Sequence, residues 1–212
     1  MPFTVYFHDM VFDEDSDYET KPESYTYEKL VLGDADGRAE IFEEPSSGVL
    51  AAFRGQGVPS YLKLRPEEKE TLKVFLPAMK NAGARRCLLS YDGGNDEGFG
   101  QLDSCHDANG NEIDQETLAT DEGLLRTIAP MLAEQQKKAK ESPFYNAANA
   151  LTPQEWAKGM LKYEVPVLTL SILLGSGYGT GEYQLYGRAT LDLDAMTITD
   201  DPKAPYPHGS SL

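Results

Sequence analysis

Residues 66 to 83 spell out a helix from start to stop. Pro66 suits a first helical residue, because its missing N–H is one that the first turn leaves unpaired anyway. Glu67, Glu68 and Glu70 follow at the positive end of the helix dipole. Leu72, Phe75, Leu76 and Met79 recur at i, i+3, i+4 and i+7, one apolar stripe, and Asn81-Ala82-Gly83 supplies the stop. Pro77 inside this pattern predicts a bend, not a break. A helix with a single apolar stripe needs another layer to cover it.

The segments around that helix read as strands, which predicts the cover to be a sheet. Thr4-Val5-Tyr6-Phe7, Tyr27 to Leu32 and Ala39-Glu40-Ile41-Phe42 are β-branched or aromatic runs. Gly33-Asp34-Ala35-Asp36-Gly37 and Glu43 to Gly48 are turns by composition. Cys87 to Tyr91 is a short buried-type strand with residues 98–107 as its neighbour, and Asn109-Gly110 is a strong hairpin signal leading into Asn111 to Asp114. Val167 to Leu174 reads as a long apolar strand. Tyr183 to Leu193 alternates, with Tyr183, Leu185, Gly187, Ala189 and Leu191 on one side, and Met196-Thr197-Ile198-Thr199 returns after a short turn.

Two further helices are signalled. One opens at Thr120, whose hydroxyl is placed to cap it, with Asp121 and Glu122 in the first turn and Leu125, Ile128 and Leu132 on its core face. Lys137, Lys138 and Lys140 load its C-terminal end with the sign that the dipole prefers. Thr152-Pro153-Gln154-Glu155 is a capping box with proline at the first position, so a third helix runs to about Tyr163, with Trp156 expected to pack on the sheet. The expected fold is α+β: an antiparallel sheet with about three helices on one face. Residues 1–60 are expected to form acidic strands and a loop of the same domain, 61–200 the core and 201–212 a proline-rich tail.

Charge is the unusual global property. Across 212 residues, 19 basic side chains face 35 acidic ones, a net charge of −16. From Asp9 to Glu44 there are 13 acids and 3 bases, which puts −10 in one short stretch. Such a chain repels nucleic-acid backbones and anionic membrane faces and attracts basic surfaces. Asp13, Glu14, Asp15, Asp17 and Glu19 form the densest acidic run, too charged to bury much and suited to ordering on contact. No run approaches the ~20 apolar residues of a membrane span. The N-terminus has no basic, then apolar, leader pattern, and Cys87 and Cys105 are the only cysteines, too few for a disulfide framework. A cytoplasmic location is the expectation, with no membrane contact and no direct nucleic-acid binding.

The local feature that invites chemistry is Ser90 to Leu102. Asp92, Asp96 and Glu97 fall in a glycine-rich loop between two strands. Carboxylate oxygens at close spacing suit Mg²⁺ or Ca²⁺, which makes a metal-dependent enzyme the alternative to a turn built from default turn residues. EF-hand spacing is absent. The glycines at 175, 177, 179 and 181 lack the lysine and following helix of a phosphate loop. Cys105-His106 are neighbours on a strand and point to opposite faces, so Cys105 reads as a buried structural residue. No hydrolase elbow and no His-Glu-x-x-His motif is present. No catalytic residue, metal ligand or cofactor is assigned.

The stretch Tyr91-Asp92-Gly93-Gly94-Asn95-Asp96-Glu97-Gly98, followed by Gln101-Leu102, resembles the aromatic-Asp-Gly-x-x-Asp-x-Gly motif of a bacterial domain family without assigned function, found in chromosomes and mobile elements. The resemblance extends over residues 66–200 and includes a C-terminal hairpin, here Gly177 to Tyr183 through Ile198-Thr199-Asp200. It implies the same fold and no activity, with Asp92, Gly93 and Gly98 as structural loop residues. The functional expectation is a non-catalytic acidic protein that binds a basic surface on a protein partner through Asp13, Glu14, Asp15, Asp17, Glu19, Asp96 and Glu97. An inhibitor of a nucleic-acid-handling defence complex, an immunity protein and an antitoxin all fit that description.

Overall fold

A computed structural model of the chain describes residues 2–11, 24–36, 38–42, 64–94, 97–147, 150–175 and 184–201. The elements in chain order are β1 (Pro2–Val11), β2 (Ser24–Asp36), β3 (Arg38–Glu40), α1 (Pro66–Asn81), β4 (Arg86–Gly94), β5 (Glu97–His106), β6 (Glu112–Ile113), α2 (Gln115–Ala119), α3 (Glu122–Lys140), α4 (Pro153–Gly159), a π-helical segment (Met160–Glu164), α5 (Val165–Leu174), β7 (Gln184–Asp192) and β8 (Thr197–Asp200). This is the expected α+β class. The strands form one antiparallel sheet in the order β2-β1-β7-β4-β5-β6, and β8 pairs with both β7 and β3.

The signalled helices form where their patterns put them. In α1, Glu68 accepts the backbone N–H of Arg65 at 2.7 Å, and Leu72, Phe75, Leu76 and Met79 are buried along one stripe. The helix runs through Pro77 without interruption. Two capping assignments need refining. The N-cap of α3 is Asp121, whose carboxylate accepts the Leu124 N–H at 2.7 Å, while Thr120 ends the short helix α2 instead. The carboxylate wins because a charged acceptor makes a stronger bond to the exposed N–H groups than a hydroxyl does. The capping box at Thr152 and Glu155 forms in full.

The largest correction is at residues 167–174, where a helix stands in place of the expected strand. From Pro153 the chain stays helical through α4, the π segment and α5, with Gly159, Met160, Glu164 and Val165 all in right-handed helical geometry. Every residue of α5 except Val167 is buried. A helix surrounded on all sides by protein is apolar all round, so it carries no 3.6-residue periodicity and looks like a buried strand. Its two hydroxyls are satisfied inside the helix: Thr169 donates to Val165 O at 2.7 Å and Ser171 to Val167 O at 2.8 Å. Gly175, at φ 94°, ends it.

α5 touches β3, β4, β5 and β8, and α1 packs on α5 and α3. Trp156 packs against α1, with its ring edge-on to Phe75 at 5.6 Å between centroids. In the sheet, Leu89, Tyr91, Leu102, Ala189 and Leu191 face the core, as the alternation in β7 predicts. β2 also differs from expectation. It continues through Gly33 to Asp36, with the register jumping from Phe3↔Leu32 to Pro2↔Asp36, so the residues read as a turn form an irregularity within the strand. β3 stops at Glu40, with Ile41 and Phe42 in a turn. The glycines 177–181 and the tail 202–212 lie outside the described residues.

Two glycines test this packing. A Cβ on Gly100 would lie 2.7 Å from Leu170 Cδ1 and 3.0 Å from Val167 N, so Gly100→Ala pushes α5 off the sheet and is expected to cost ~1–3 kcal/mol in urea denaturation. Gly159 is helical at φ −62° with open space around it, so Gly159→Ala is expected to stabilise by about 0.4–1 kcal/mol in the same assay.

Candidate functional site

The motif stretch is a tight hairpin, and not the loop expected from its glycines. β4 continues through Asp92 and Gly93 to Gly94, which is the register partner of Glu97, so only Asn95 and Asp96 join the strands. Asp92 does not follow its strand but lies inside it, exposed, with Phe99 and Tyr186 as register partners on either side. Gly93 pairs with Gly98. Extra hydrogen-bonding partners from β5 and β7 carry the backbone through a run that composition alone assigns to a turn.

Of the glycines in the stretch, Gly100 is used for packing. Tyr91 is buried on the core face between Gly100 and Gly187 in register, and a Cβ on Gly187 would overlap the Tyr91 ring and hydroxyl. On the opposite, open face Phe99 is 59% exposed beside Asp92. A bulge at Asp103, where Leu88 faces Ser104 but Leu89 faces Leu102, turns that carboxylate to accept from Ser90 Oγ at 2.8 Å, with Arg188 Nε 3.6 Å away. Phe99, Asp103 and Arg188 were not singled out from sequence. Parity from buried Leu102 gives Phe99 away only once the register is known.

The other acidic candidates divide. Asp13, Glu14, Asp15, Asp17, Glu19 and Asp96 lie outside the described residues, and Glu97 is described only as the first residue of β5. The described backbone nonetheless constrains where their segments attach. Tyr6, Tyr186, Asp92 and Phe99 form one row across β1, β7, β4 and β5. β1 and β4 are both antiparallel to β7, so they run in the same direction, a single strand apart at ~10 Å. β1 therefore delivers Val11, whose register partner is Ser24, to the same end of the sheet as Gly94 and Glu97. Acidic segments distant in sequence enter and leave the sheet at one end.

Among the described residues, no group of three or more His, Cys, Asp or Glu side chains is close enough to hold a metal ion. No described helix is long and apolar enough to cross a membrane. Cys105 is buried, as expected, but it is not alone: Cys87 is its register partner on β4, with the two Sγ atoms 2.7 Å apart. Contact with Cys105, reinforced by burial, pushes the Cys87 thiol well above its ordinary range. His106 sits half-buried on the other face, its Nδ1 without a partner. A second concavity of about 360 Å³ lies between α3 and α4, lined by Leu132, Gln136, Phe144, Leu151 and Trp156.

No family model matches the chain, and comparison with curated proteins and with solved structures gives no significant match. The turn after β5 holds a carboxylate that accepts three hydrogen bonds. Asp107 accepts from the Asn111 side chain at 3.0 Å and from the backbone N–H groups of Asn111 and Asn109, each at 2.8 Å, and these bonds hold it below its ordinary value. A depressed folded pKa adds stability above the unfolded value of 3.8, and that stability disappears as pH falls through the folded value. Asp107→Ala is expected to melt below the native chain near pH ~6, with the gap closing towards pH ~2. A gap that stays constant over that range would contradict the assignment.

Proposed function

We propose that the chain is a non-catalytic interaction protein that docks an acidic end of its sheet onto a basic surface of a protein partner. The observation that carries this reading is the strand register. The connection holding Asp13, Glu14, Asp15, Asp17 and Glu19 and the Asp96-Glu97 hairpin attach to the sheet at one end, which supports reading them as a single acidic element. The segment from Asp9 to Glu44 holds −10 of the net −16, and β2, which belongs to it, is the terminal strand of the main sheet order.

A field of this size and sign speeds encounter with a basic surface and suppresses encounter with nucleic acid. The partner surfaces that it fits best are those that otherwise hold a phosphate backbone. Inhibition of a nucleic-acid-handling defence complex is the form of this activity favoured by the motif's resemblance to a family that occurs in mobile elements.

The test is charge reversal in the full chain. Binding partners captured from the native host are titrated against the native protein and against the quadruple variant with Asp13, Glu14, Asp15 and Asp17 all replaced by lysine. The variant is expected to associate at least ~10-fold more slowly, with dissociation little changed and the difference shrinking as salt screens charges over ~8–10 Å. Affinity unchanged by the reversal removes the proposal. A parallel melt with Mg²⁺, Mn²⁺ or Ca²⁺ is expected to show no saturable rise in Tm. A saturable rise abolished by Asp96→Asn would favour the metal-dependent enzyme instead.

A further inference from the structure

The two cysteines of the chain are direct cross-strand neighbours at the base of the β4–β5 hairpin, both fully buried. Their sulfurs, 2.7 Å apart, are well inside the ~3.6 Å of ordinary sulfur–sulfur contact and need little movement to reach the ~2.05 Å of a bond. Antiparallel strands hold directly opposite residues at the Cα separations, about 4.5–5.5 Å, that a disulfide spans.

We propose that Cys87 and Cys105 form a reversible disulfide that locks the base of the hairpin, with a low-molecular-weight disulfide of the glutathione class as the oxidant. The thiolate of one cysteine attacks a sulfur of the small disulfide, releasing one small thiol and leaving a mixed disulfide on the protein. The second cysteine loses its proton to water and attacks the protein sulfur of that mixed disulfide, and the second small thiol leaves. Two protein S–H bonds and one small-molecule S–S bond are exchanged for one protein S–S bond and two small-molecule S–H bonds.

The sheet supplies the access route. On its outer side β5 is covered at this level only by the two-residue strand β6, where Cys105 faces Ile113. Short edge strands open locally at far lower cost than the whole fold, so fraying of β6 exposes Cys105 first. Burial of both sulfurs keeps the small disulfide out of the closed fold, and the raised Cys87 pKa keeps that thiol protonated there, so the exchange is gated by this opening. The inference stands apart from the docking reading, since it concerns the base of the hairpin and not its tip.

The experiment equilibrates the full native chain with glutathione disulfide or with a reducing dithiol, quenches in acid, denatures and alkylates. The oxidised sample is expected to be a monomer with no alkylatable thiol and an intact mass lighter by two hydrogen atoms. It is also expected to melt on the order of 5–10 °C above the reduced sample, the effect of closing a short loop in a chain of this size. Dithiol treatment is expected to restore both thiols. Two thiols still alkylated after oxidation, or a lasting glutathione adduct on one of them, would overturn the proposal. So would a disulfide that leaves Tm unchanged or lower, because the pair would then lock nothing.

Discussion

The seating of α5 on the sheet is the contact on which the other elements depend. It lies against β3, β4, β5 and β8 on one side and against α1 on another, so it joins the sheet to the outer helices. Close approach is possible because Gly100 offers no side chain where Leu170 and the Val167 backbone press on β5. Next to it, Tyr91 fills the surface that Gly100 and Gly187 leave open, which restores packing that two glycines in a sheet would otherwise forfeit. Nine of the ten residues of this helix are buried, each large aliphatic side chain worth ~1.5–3 kcal/mol, which makes it a dense source of stability among the described elements.

What local chemistry specifies was legible in the sequence. α1 announces itself by proline, acidic first turn and stripe, and the capping box at Thr152 and Glu155 forms as its spacing requires. The alternation in β7 reports one covered face, and the burial of Ala189 and Leu191 agrees. Failures came where tertiary surroundings outweigh local pattern. α5 has no polar face because only Val167 meets water, so periodicity had nothing to detect. The edge-on contact of Trp156 with Phe75 joins residues 81 positions apart and has no local signal.

The candidate surface was half legible for a similar reason. Charge is additive along a sequence and needs no fold to be counted, so the acidic run from Asp9 to Glu44 stands out at once. That the β1–β2 connection within this run and the Asp96 hairpin attach at one end of the sheet follows only from register, with β7 inserted between β1 and β4. The Cys87–Cys105 pairing is likewise a product of register, since it requires both the two-residue hairpin and the bulge at Asp103. Composition placed Asp92 in a loop, whereas pairing on both sides of β4 keeps it in a strand.

Backbone ¹³Cα chemical shifts of residues 165–174 in the free, full-length protein are the most direct check that a buried helix sits at the centre of this fold. Positive secondary shifts, as in a helix, are expected throughout that run, with amide exchange among the slowest in the molecule. Negative secondary shifts across 167–174 would mean that the segment is a strand, and the seating on Gly100, the order of the layers and the position of Trp156 would all fall with it.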